Sequence, residues 1–133
     1  MSAEVPRKVV AVVPDLFFAA KIGETARQVG AEIDFVPSAA DLLLRAQSKP
    51  ALIVMDLNAE GLDAIATIGQ LKADGASASL PLVGFVRHEM SELINSAREA
   101  GCERVLSRNA FSKHLPQILS GESYQEDGSA KKC

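Results

Sequence analysis

Four short stretches of this sequence place charged or oxygen-bearing residues directly after apolar runs. Pro14-Asp15 follows KVVAVV. Asp56 closes LIVMD, with Asn58 two residues on. Arg87-His88 follows PLVGFV, and Ser107-Arg108-Asn109 follows RVL. Two carboxylates brought close together repel, and a cation usually compensates them. Arg108 could supply one positive charge. A Mg2+ ion, which takes oxygen ligands and keeps several waters, could supply more. A single Asp at the start of a loop has a plainer use as a helix cap or turn residue. The residues alone leave both readings open for Asp15 and Asp56.

The elements that must position these residues alternate along the chain. Apolar runs at 8–13, 51–55 and 81–86 read as buried strands, the run at 32–36 alternates, and that at 104–106 is short. Between them, 16–30, 38–47, 61–75, 89–101 and 110–119 carry apolar residues at helical spacing. Gly30 and Gly101 suit helix ends, Ser38 and Asp41 have the spacing of a capping box, and Pro116 suggests a kink in the last helix. Phe18, Ile22, Ala26 and Val29 share one helical face, and Phe111, Leu115, Ile118 and Leu119 another. Five β/α units imply an α/β domain, a doubly wound parallel sheet with helices on both faces. The three wholly apolar strands belong in its centre, which the order 2-1-3-4-5 satisfies. That order makes strands one and three neighbours. It therefore brings Asp15 and Asp56 together at the carboxyl ends of the strands, where open sheets of this kind bind ligands.

At 133 residues, 47% of them hydrophobic, the chain suits one domain with a real core. We expect that domain over 1–120 and a polar, disordered tail over 121–133. The net charge of -3 and the lack of a Lys/Arg stripe point away from nucleic acid. No apolar stretch approaches the roughly 18 residues of a membrane span, and MSAEVPRK lacks a signal-peptide core. Cys102 and Cys133 do not make a disulfide framework, so a reducing cytoplasm is the expected location. His88 and His114 read as surface residues, Cys102 as packed near a helix end, and Phe17 as a rim or interface residue.

Over roughly residues 7 to 120 the chain resembles the CheY-like receiver domain of two-component response regulators. The resemblance rests on the element order, the Asp ending strand three, Leu80-Pro81 before strand four, Ala100-Gly101 closing the fourth helix, and the basic residue after strand five. It implies that Asp56 is the phosphoacceptor. It also implies a Mg2+ site made by Asp15, Asp56 and the backbone carbonyl of Asn58, with Arg108 in the place of the family's Lys. A carboxylate attacking phosphorus forms an acyl phosphate, and the equatorial charge must then be neutralised by cations. The partner implied is a histidine kinase or another signalling protein, met through the surface of the last two β/α units. The chain would be a signalling module rather than an enzyme.

Several positions depart from that pattern. Pro14 stands in place of one metal-site acid. Val86 replaces the Thr/Ser of the switch and Val105 its Tyr/Phe. Arg87 stands where a small residue is usual, and its long side chain could cover the site. Arg108 and Asn109 replace the Lys-Pro pair. Arg differs from Lys in its planar fork, so Arg108 could instead pair with Asp56 and fill the phosphoryl site. An alternative reading is therefore a phosphorylation-independent docking module with the same fold. A flavodoxin-like cofactor-binding protein is less favoured, because VPDLFFAAK offers no Gly- or Ser/Thr-rich phosphate cradle.

Overall fold

The structure is a computed structural model that describes residues 7–87 and 91–121. His88, Met90, Cys133 and the expected tail beyond Gly121 lie outside the described residues. β1 (Arg7–Val12), β2 (Ala31–Phe35), β3 (Leu52–Asp56), β4 (Leu82–Val86) and β5 (Arg104–Ser107) form one parallel sheet of order β2-β1-β3-β4-β5. The expected order holds, and burial explains it: β3 and β4 are buried at every residue, whereas β2 is largely uncovered. The four apolar side chains of β3 together contribute about 6–12 kcal/mol of burial. That outweighs the several kcal/mol that burying one carboxylate costs, so Asp56 is carried into the interior with them.

Helices cover both faces. α1 (Leu16–Val29), α5 (Arg108–Lys113) and α6 (Leu115–Ser120) pack on one side, where Phe18, Ile22, Phe111, Leu115 and Leu119 meet Val9, Ala11, Val54 and Phe85. α2 (Ala39–Ala46), α3 (Ala64–Ala73) and α4 (Ser91–Ala100) pack on the other, where Leu42, Ile68, Leu71 and Ile94 meet Val10, Val12, Met55, Val86 and Val105. The one-residue alternation along β1 sends successive side chains to opposite clusters.

Two helices differ from expectation. The last is two short helices rather than one, broken at His114, with Pro116 in the first turn of α6, where its missing N–H costs nothing. His114, at this break, is partly exposed. α3 starts at Ala64 rather than 61, because the Asp63 carboxylate caps it by accepting from the Ala66 N–H at 3.1 Å. Ser38 caps α2 as its spacing implies, accepting from the Asp41 N–H. At the far end of the sheet, the Arg7 Nε donates to the Leu119 carbonyl at 2.9 Å, tying the start of β1 to the end of α6.

Candidate functional site

The carboxyl ends of β1, β3, β4 and β5 bring Asp15, Asp56, Asn58, Arg87 and Arg108 to one edge of the sheet. β1 and β3 pair directly, with Val12 opposite Met55, and the two aspartates are close enough to feel each other's charge. They are used differently.

Asp15 is the N-cap of α1. Its Oδ1 accepts from the backbone N–H groups of Phe17 at 3.0 Å and Phe18 at 3.2 Å. Its Oδ2 accepts from Arg108 Nη2 at 3.0 Å. The Phe18 N–H, followed by the Arg108 side chain, holds the Asp15 carboxyl below its ordinary range. The plainer reading of Asp15 as a cap is thus correct, and it comes with an ion pair.

Arg108 is held from two sides. Besides Asp15, its guanidinium lies 4.1 Å from the centre of the Phe18 ring. Phe18 in turn meets Phe85 edge-on at 5.2 Å, and Phe85 stacks on Phe111 at 4.8 Å. The cation is therefore anchored to the core through three aromatic rings. It pairs with Asp15 and not with Asp56, which corrects the expectation of an Arg108–Asp56 pair. Phe18, read from the sequence as a core residue only, also serves as the seat of this cation. Its place one turn into the helix that Asp15 caps is the signal that could have found it.

Asp56 is 3% exposed. Its Oδ1 accepts from the Asn58 N–H at 2.9 Å, closing a turn at the end of β3. Burial pushes its carboxyl up, against the Asn58 N–H and the charges of Arg87 and Arg108. Leu57, the next residue, lies across Gly84 of β4 so closely that a Cβ there would stand 2.9 Å from its side chain. The β3 end is thus clamped from below.

Arg87 closes the same turn from above. Its backbone N–H donates to Asn58 Oδ1 at 2.8 Å, and its Nη2 donates to the Asn58 carbonyl at 3.0 Å. That carbonyl is the one the receiver resemblance gives to Mg2+. The donor set can be tested on this arrangement. Pro14 offers no carboxylate, both Asp15 oxygens are engaged, and the Asn58 carbonyl already accepts from a guanidinium. Like unit charges about 4 Å apart near a protein surface repel by about 4 kcal/mol, so each guanidinium opposes a dication at its own acceptor. As arranged, these residues do not fit Mg2+. Among the described residues, no group of three or more His, Cys, Asp or Glu side chains is placed to hold a metal ion.

Val86 and Val105, at the switch positions, are both buried in one apolar cluster. Cys102 is buried, as its packing near a helix end implies, and burial pushes its thiol up to about 11, which disfavours the thiolate. Phe17 is 90% exposed beside Asp15, in keeping with a rim residue. A cleft of about 890 Å3 opens at the opposite end of β1 and β2, far from these groups. Three of the cations around it are paired, Lys8 with Glu32, Arg27 with Glu24 and Arg45 with Asp34. No helix among the described residues is long and apolar enough to cross a membrane.

No family model and no curated protein matches the sequence. Solved structures do match. The phosphorylated cyanobacterial phytochrome response regulator RcpA is 19% identical, with a TM-score of 0.74 over 88% of this chain and 91% of that one. The chemotaxis response regulator CheY4 of Vibrio cholerae is 16% identical, with a TM-score of 0.75 over 88% and 98%. The receiver domain of the sensor histidine kinase PA1611 from Pseudomonas aeruginosa PAO1, solved with magnesium coordinated in its active-site cleft, is 16% identical, with a TM-score of 0.76 over 88% and 97%. The fold of this chain is that of CheY-like receiver domains.

Proposed function

We propose that this chain is a receiver-like module of two-component-type signalling that works by docking and does not depend on phosphorylation of Asp56. The observation that carries this reading is the fate of Asp15. In a phosphoryl-accepting site that acid would hold a metal, and here it is spent on the α1 cap and on Arg108. Phosphoryl transfer needs an accessible nucleophile and positive charge placed against the equatorial oxygens. Asp56 is almost fully covered, and Arg108 is paired with Asp15 rather than aimed at Asp56. A relay also needs a group that moves. Val86 and Val105 offer no hydroxyl or phenol and fill the core instead.

The output then runs through a protein surface, with a histidine kinase or another cytoplasmic signalling protein as the partner and α4, β5, α5 and α6 as the contact. The module is a binding protein rather than an enzyme. Intact mass after incubation with Mg2+ and acetyl phosphate, then with a histidine kinase donor, tests the reading. The expected result is no gain in mass. A phosphate-sized gain that disappears in Asp56→Asn would make Asp56 the phosphoacceptor and overturn the proposal.

A further inference from the structure

We propose that Arg87 is a tethered replacement for a divalent cation: its guanidinium takes the Asn58 carbonyl at the end of β3, beside the buried carboxylate of Asp56. The inference rests on the docking reading and gives the device by which the site is held shut. Its support is the pair of hydrogen bonds between Arg87 and Asn58, which join residues 29 apart in the chain.

The two bonds have separate roles. The backbone N–H of Arg87 fixes the Asn58 side chain, which any non-proline residue at 87 would also do. The guanidinium takes the Asn58 carbonyl, which only a long cationic side chain does. The carbonyl points where Arg87 Nη2 can reach it because Asn58 is turned by its own N–H bond to Asp56. One cation is therefore positioned by the turn that the buried carboxylate makes, and its charge favours that carboxylate's ionised form. A guanidinium is planar, weakly hydrated and permanently charged. It fills a carbonyl's lone-pair direction without the shell of waters a small dication carries. Being covalently attached, it needs no free ion and does not leave on chelation.

Arg87 is exposed on the loop after β4, so shortening it removes the closure without touching the core. The test uses the full chain and Mn2+ as the probe, with free ion read by electron paramagnetic resonance. Wild type, Arg87→Ala and Arg87→Ala/Asp56→Asn are compared, each checked for folding by circular dichroism. Arg87→Ala should take up one ion per chain about ten-fold more tightly than wild type or better, and the double variant should lose that gain. Equal binding by wild type and Arg87→Ala, strong or absent, overturns the proposal. So does tight binding that survives Asp56→Asn, since the ion would then lie elsewhere. The docking reading fails on a different readout, the phosphate-sized mass gain of the wild-type chain.

Discussion

The β1–α1 and β3–α3 junctions each end a buried strand with an aspartate, and the two carboxylates finish in opposite states. Asp15 is about a third exposed, caps a 14-residue helix and pairs with Arg108. Asp56 is covered, turns back on Asn58, and has its cation on the neighbouring carbonyl rather than on itself. The difference lies in the segment that leaves each strand. After β1 the chain enters a helix at once, so its free N–H groups collect the acid. After β3 seven residues separate the strand from α3 (57–63), which starts on its own cap at Asp63. Asp56 is left inside the packing of β3 and β4.

The largest break in that contrast should come from the packing beneath Asp56. Gly84→Ala pushes a methyl into Leu57, which is buried and would lie 2.9 Å from the added Cβ. It should cost about 1–3 kcal/mol in a urea titration, whereas an exposed change beside Asp15 should cost far less.

Asp56→Asn should act in the other direction. Its folded carboxyl lies above the ordinary 3.8. The stability this carboxyl contributes is thus present in acid, below the unfolded value, and is lost as pH rises through the folded one. The amide keeps the oxygen that accepts from Asn58 and removes the buried charge. A gain on the order of 1 kcal/mol near pH 7, shrinking towards zero at about pH 3, is the expected pattern. A loss near neutral pH would mean that the charge is better compensated than its burial implies.

Asp15→Asn should be the smallest. Asn caps a helix about as well as Asp, and the pair with Arg108 is a third exposed on each side, so solvent screens it. The melting temperature should fall by roughly 2 °C or less near pH 7. Asp15 is held below its ordinary value, so its contribution is present above the unfolded value and fades as pH falls through the folded one. The difference between this variant and wild type should therefore vanish in acid.

Strand order was legible because burial on two faces and burial on one leave different patterns in the residues. LIVMD and LVGFV have no alternation, and AEIDF does. The helix caps were half legible: Ser38 stands three residues before an acid, while Asp63 comes after an apolar Leu62 that extends the helical pattern backwards. At the site, the residues were legible and their partners were not. Arg108 could face either aspartate by order alone, and the choice is made by Phe18, whose ring offers the guanidinium a second contact on the Asp15 side. The link from Arg87 to Asn58 depends on where two loops end after β3 and β4, which no local spacing records.

The bond from Arg7 to Leu119 has a practical consequence for how this domain can be held. It places the entry and the exit of the domain side by side, at the end of the sheet away from Asp56. A tether, a tag or a neighbouring domain joined at either point would hold the molecule by its base. Phe17, Arg87 and the loops after β3 and β4 would then face outward, clear of the support, and joining the two points to each other would leave that face as it is.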